Sequence, residues 1–165
     1  MKAAVSGEFT MHLSDFLDFD AIKTGLPGGS KKALLQQLAH LAGQQLGLDS
    51  AAILASLTER EQLGSTGFGQ GVAIPHGKVD GLKRIYGLFA RLAEPVDYKA
   101  IDASPVDLVF VLLSPADAGA EHLKALAAIS RITRDSATLE RLRGARTRDA
   151  LAAVLMGADE RDAAA

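Results

Sequence analysis

In the segment Gly67-Phe68-Gly69-Gln70-Gly71-Val72-Ala73-Ile74-Pro75-His76-Gly77, one histidine follows a glycine-rich loop and a short apolar run. Val72 to Ile74 has the length and character of a short buried strand. Pro75 restricts the exit geometry, so His76 stands at a strand end. The glycines permit tight, positive-φ backbone with exposed amides. A neutral imidazole is nucleophilic near physiological pH, and a phosphoramidate formed on it can pass its phosphoryl group onward rather than trap it. Such transfer also needs donor or positive groups around three equatorial oxygens, and in-line access for the partner. Ser65, Thr66 and the amides of Gly67, Gly69 and Gly71 are candidate phosphate contacts. A glycine turn that only redirects the chain fits the same residues, and a histidine beside an apolar run also fits a purely structural place.

Other chemistries find less support. No Gly-Lys-Ser/Thr triplet follows the glycines and the dinucleotide fingerprint is missing, so neither ATP nor NAD is implied and no cofactor is expected. His12 and His40 have no histidine partner at helical spacing, and His76 and His122 lack a sequence-local ligand cluster, so no metal site is expected. The absence of cysteine excludes disulfides, thiolate metal sites and cysteine nucleophiles.

The elements that must position His76 follow from periodicity. Ser30 precedes a helical pattern from Lys31 to Gln45, with Leu34, Leu35, Leu38, Leu41 and Ala42 on one stripe, His40 off it and Gly47 at the stop. Asp49 can cap a second helix, Ser50 to Gln62, with Ile53, Leu54 and Leu57 inward; Arg60 and Glu61 end it at the mouth of the glycine loop. Leu82 to Leu92 reads as a strand, Asp97 to Ser104 as a connection, and Val106 to Leu113 as a central strand covered on both faces. Gly119 to Arg134 is an amphipathic helix with Leu123, Leu126, Ala127 and Ile129 to Ile132 on its apolar face. Shorter helices start at Ser136 and, capped by Thr147, run through Leu151, Val154 and Leu155. Layers of helix, sheet and helix are expected.

A chain of 165 residues with 48% hydrophobic content suits one compact domain. Its formal charge of -2 supplies no basic footprint for nucleic acid or an anionic membrane. No apolar stretch approaches the roughly 20 residues that span a bilayer, and no secretory segment opens the chain, so a cytoplasmic protein is expected. Residues 1–9 and 158–165 read as flexible tails around a single domain at 10–157.

Glu61, then Phe68-Gly69, then Val72-Ala73-Ile74-Pro75-His76-Gly77 together resemble the phosphohistidine signature of enzyme IIA components of the bacterial phosphoenolpyruvate-dependent phosphotransferase system, in the fructose, mannitol and nitrogen-related class. Pro105 to Pro115 followed by Glu121-His122-Leu123-Lys124-Ala125-Leu126 resembles the same family's central strand and following helix. The resemblance extends from about Leu13 to Met156. It implies an α/β fold with a mixed, about five-stranded sheet sandwiched between helices.

It also implies roles. His76 would carry the phosphoryl group on Nε2, with its Nδ1 proton held by a hydrogen bond to a backbone carbonyl. Arg60 matches the family's active-site arginine, whose planar fork suits phosphate, and His122 would stabilise the transferred group near a helix start. A surface arginine and a structural histidine are the corresponding plain readings; Lys78 is not counted as catalytic. The implied activity is a phosphocarrier taking its group from an HPr-type donor. A regulatory, nitrogen-related output toward partners such as kinases or transporter subunits is preferred, because no IIB, HPr or membrane unit is attached. The alternatives are a sugar-transport IIA that passes phosphate to a IIB partner, an unphosphorylated regulatory binding module, and a metal-dependent hydrolase, which the lack of a ligand cluster disfavours.

Overall fold

The computed structural model describes residues 10–165. After short 3-10 turns at Leu13–Asp15 and Phe19–Ala21, the chain forms strand β1 (Lys23–Leu26) and helices α1 (Lys31–Leu46) and α2 (Ser50–Gln62). Strands β2 (Gly67–Gly69), β3 (Val72–Ala73), β4 (His76–Val79), β5 (Tyr86–Val96) and β6 (Val106–Pro115) follow. Helices α3 (Ala120–Thr133), α4 (Ser136–Gly144) and α5 (Arg148–Ala164) complete it. The first two helices begin as their caps predict. The Ser30 hydroxyl accepts the Ala33 amide at 3.1 Å and the Asp49 carboxylate accepts the Ala51 amide at 3.0 Å. Gly47, at φ 67°, supplies the left-handed residue that ends α1.

The sheet runs β1-β5-β6-β3-β2, and β4 also pairs with β6. Neighbours are antiparallel at β5/β6 and β2/β3 and parallel elsewhere. Strands β3 and β4 are two pieces of one line: Ala73 pairs with Val109 and His76 with Leu112, so both sides advance in step. Pro75 separates them because it has no N–H for the ladder, although its carbonyl still accepts the Leu112 amide at 3.0 Å. Six strands therefore stand where about five were expected, the difference lying at this proline.

β6 is the partition between two cores. Its Leu108, Phe110 and Leu112 face Ala125, Ile129, Leu139, Leu142, Leu151 and Leu155 of α3, α4 and α5. Val109, Val111 and Leu113 face Leu34, Leu38, Ile53 and Leu57 of α1 and α2. Alternation along one central strand thus sorts the early helices to one side and the late helices to the other. Each such fully buried aliphatic contributes about 1.5–3 kcal/mol.

Two boundaries and one helix face differ from the sequence reading. β5 starts at Tyr86 rather than Leu82, because Gly81, at φ 86°, turns the chain and Leu82 bonds back to the Val79 carbonyl. On α3, Leu123 and Ala127 are exposed and His122 is buried, so the helix is rotated relative to its expected apolar face. Residues 158–164, expected as a loose tail, form the last turns of α5. Asp159 accepts the Leu13 amide at 2.7 Å, and Asp162 bonds both Arg131, at 2.9 Å, and His12, at 3.0 Å. Alanine's helix propensity and these carboxylates hold what an apolar-stripe reading discounts. The expectation for residues 1–9 lies outside the described residues.

Candidate functional site

His76 opens β4 immediately after the Pro75 break, rather than closing a strand, and among the described residues β4 pairs with β6 alone. The imidazole Nδ1 lies 2.7 Å from the Ile74 carbonyl oxygen. A carbonyl only accepts, so Nδ1 carries the proton and Nε2 keeps its lone pair. The local chain direction produces this bond: the proline turn brings the carbonyl of residue 74 back under the ring of residue 76.

Strand alternation sends His76 toward α3 and Gly77 toward α2. A Cβ on Gly77 would collide with the Ser56 hydroxyl and crowd the Ser56 backbone, so only glycine lets α2 approach this closely. Ser56 Oγ donates to the Lys78 carbonyl at 2.7 Å, tying helix to strand. Arg60 lies one helical turn further on, on the same helix face. Its Nε donates to His76 Nε2 at 3.2 Å, and its Nη1 donates to the Gly64 carbonyl at 2.9 Å.

From the opposite layer, α3 brings His122. Its ring centroid is 5.4 Å from that of His76, with a 48° angle between the planes. Its Nδ1 is 2.6 Å from Ser114 Oγ, near the end of β6. Burial lowers the His76 pKa from its ordinary value, and the Arg60 charge adds to this against the Ile74 hydrogen bond, which raises it. Burial, followed by the charges of His76 and Lys78, lowers His122 to about 4. Both rings are therefore neutral near pH 7. The site offers one imidazole lone pair that accepts from a guanidinium, with a second imidazole close by on the α3 side.

Glu61 braces the site. Its side chain is 6% exposed and pairs with Lys31 Nζ at 3.1 Å. It also accepts the Thr66 amide at 2.7 Å, the Thr66 hydroxyl at 2.5 Å and the Tyr98 hydroxyl at 3.2 Å. Lys31 additionally sits 4.4 Å from the Tyr98 ring centroid. These bonds fix the loop that holds the Gly64 carbonyl, and through it Arg60.

His76, Arg60 and His122 thus come together, as expected of them. The weaker phosphate candidates divide. Ser65 is half-buried and accepts the Gly67 amide at 3.1 Å. Thr66 is fully committed to Glu61 and Tyr98. Gly69 and Gly71, at φ 106° and 80°, shape the β2–β3 turn, packed against Asp102 and against Arg143 and Asp107 respectively. Their glycine identity is explained there by turn geometry and close packing. His40 is exposed on α1. His12, Asp159 and Asp162 converge elsewhere, but the Arg131 guanidinium already occupies the Asp162 carboxylate, making this a cross-link between the chain ends. Sequence reasoning passed over Ser114, Ser56 and Lys31, whose roles depend on strand register and helix approach; Glu61 was legible only as a motif position.

Residues 15–157 match the family described as phosphoenolpyruvate-dependent sugar phosphotransferase system, EIIA 2, and the chain belongs to that family. Its chemistry is accordingly phosphoryl transfer. Within that class, the chain is 48% identical over 145 residues to a nitrogen regulatory protein of Bradyrhizobium diazoefficiens, covering 88% of this chain and 95% of that protein. It is 45% identical over 127 residues to a nitrogen regulatory protein of Pseudomonas aeruginosa, covering 76% and 82%. The crystal structure of nitrogen regulatory protein IIA-Ntr from Neisseria meningitidis matches the fold with a TM-score of 0.81 at 37% identity, covering 87% of this chain and 98% of that one. No helix among the described residues is long and apolar enough to cross a membrane.

Proposed function

We propose that the protein is a phosphocarrier that accepts a phosphoryl group on His76 Nε2 from an HPr-type donor, with a regulatory, nitrogen-related output. The observation that carries the reading is the state of the His76 ring. Nδ1 is tied to the Ile74 carbonyl, and Nε2 presents its lone pair beside Arg60 at 3.2 Å.

In the transfer, Nε2 attacks phosphorus in line while the P–N bond of the donor's phosphohistidine breaks and its electron pair returns to the donor ring. No proton need leave His76. The proton stays on Nδ1 and is donated to the Ile74 carbonyl, which supports the positive charge that the ring gains on N-phosphorylation. Arg60 Nε gives up its bond to Nε2 and turns to the equatorial oxygens, where charge-assisted bonds replace a neutral one. His122 stabilises those oxygens from the α3 side.

The regulatory output is supported by similarity to proteins named for nitrogen regulation. The phosphoryl group brings about two negative charges to the start of strand β4, enough to alter docking of a regulatory partner without refolding. A differential of about 1.4 kcal/mol gives a tenfold preference for one form.

The test is incubation of the purified protein with phosphoenolpyruvate, enzyme I and an HPr-type carrier, followed by measurement of an acid-labile mass gain. Wild type is expected to gain one phosphoryl group and His76→Ala none, with the fold intact. Wild-type labelling of His76→Ala would overturn the assignment of the acceptor. Equal binding of both forms to every regulator tried, with ready passage of phosphate to a sugar-specific IIB protein, would replace the regulatory reading with the sugar-transport one.

A further inference from the structure

The Ser114 side chain is fully buried, and its one hydrogen-bond partner among the described residues is His122 Nδ1, at 2.6 Å. Two proton arrangements satisfy that distance, and their costs differ. If Nδ1 carried the proton and donated it to Oγ, the serine O–H would have no acceptor. A buried donor left unmade costs about 1–3 kcal/mol. If the hydroxyl donates to an unprotonated Nδ1, both groups are satisfied and the His122 proton sits on Nε2. Among the described residues Nε2 has no protein partner, and no polar side-chain atom is buried without one. It is thus the open edge of a ring whose centroid lies 5.4 Å from that of His76.

We propose that Ser114 is a positioning residue that locks the His122 proton on Nε2, so that this ring acts as a hydrogen-bond donor to the phosphoryl group carried by His76. The two imidazoles are then held in opposite tautomers by two different acceptor and donor types. A backbone carbonyl forces Nδ1–H on His76 and exposes a lone pair; a serine hydroxyl forces Nε2–H on His122 and exposes a donor. One ring is set for bond formation and the other for stabilising oxygens, and neither has to shed or gain a proton first. The β6 register places Ser114 for this. Leu112 and Ser114 share the face toward α3, and Leu112 is the residue paired with His76. The catalytic half of this proposal rests on His76 as the phosphoryl acceptor; the tautomer itself does not.

The experiment is long-range proton–nitrogen NMR of the histidine rings of the full, nitrogen-15-labelled chain near pH 7.5, with wild type, Ser114→Ala and Ser114→Cys, alongside initial rates of phosphorylation by an HPr-type donor. Wild-type His122 should show a protonated Nε2 and a pyridine-like Nδ1, and His76 the reverse. In Ser114→Ala the His122 pattern should become a mixture while that of His76 stays unchanged, which also reports an intact site. The weaker thiol donor of Ser114→Cys should give an intermediate pattern, and serves if the alanine variant does not fold. The phosphorylation rate of Ser114→Ala should fall about tenfold, short of the roughly hundredfold expected for removing the His122 ring. A wild-type His122 protonated on Nδ1, or an unchanged pattern in both variants, overturns the tautomer assignment. A changed pattern with an unchanged rate overturns its role in transfer. If wild-type protein takes up no phosphate at all, the function fails while the tautomer result still stands or falls on its own spectrum.

Discussion

Gly77 and Ser56 touch where strand β4 meets helix α2, with no room between them for a methyl group. This contact sets how near Arg60 comes to His76, because Arg60 lies one turn along the same helix face. Gly77→Ala is expected to cost about 1–3 kcal/mol from overpacking and to lower the phosphorylation rate by pushing α2 outward. Denaturant midpoints and initial rates of adduct formation check both parts. Unchanged kinetics in a destabilised variant would disconnect the contact from the chemistry.

Arg60 and His122 reach His76 from opposite helical layers, so each should contribute separately to stabilising the transferred group. Arg60→Ala and His122→Ala are each expected to slow phosphorylation on the order of a hundredfold, equivalent to about 3 kcal/mol in the barrier. Arg60→Lys should recover little, because a point charge cannot both hold Gly64 and turn a planar fork to the oxygens. Single-turnover rates with a phosphorylated carrier measure this.

The lowered pKa of His76 has a kinetic and a thermodynamic consequence. Its nucleophilic form persists below the ordinary histidine value, so acceptance of phosphate should stay level from slightly alkaline pH down through about 6.5 and fall only in more acid solution. Both histidines bind protons more readily in the unfolded chain than in the folded one. Their contribution to stability is therefore complete above about 6.5. It is lost as the pH falls toward the lowered values, about 4 for His122. Unfolding titrations between those limits should show stability rising with pH, with a smaller slope in His122→Phe.

Glu61→Ala should destabilise the protein by about 2 kcal/mol or more, because hydrogen bonds to a charged group are removed from Thr66 and Tyr98 and the Lys31 ammonium loses its partner. The loop carrying Gly64 should loosen, with faster amide exchange at residues 63–67. Glu61→Gln should retain part of the hydrogen bonding but not the pairing with Lys31. Exchange rates equal to wild type in Glu61→Ala would remove this carboxylate from the support of the site.

His76 stood out because a strand-length apolar run, a proline and glycines frame it, but its proposed role came with the family motif rather than from those residues alone. The helices of the first layer were legible for an equally local reason, since Ser30, Gly47 and Asp49 act within a turn of where they stand. On α3 locality failed. Leu123 looks like core by spacing, yet its neighbour His122 takes the buried place, since the helix rotates to satisfy contacts with β6 and Ser114. The last turn of α5 was illegible for a similar reason: its anchors, Leu13 and Arg131, are remote in sequence.

By itself the sequence determined the five helices and the central strand at Val106 to Leu113, set by short-range backbone preferences and burial of apolar runs, and it singled out His76; the short strands β1, β2 and β4 were not legible in it. Only the tertiary structure decided how the neighbours of His76 are brought to it. Arg60 arrives because Gly77 admits α2, His122 because α3 packs on the other face of the sheet, and Ser114 because the parallel register of β4 against β6 carries it to the α3 side. Each of these depends on close packing between elements far apart in the chain, where differences of less than the width of a methyl group decide which polar atoms meet.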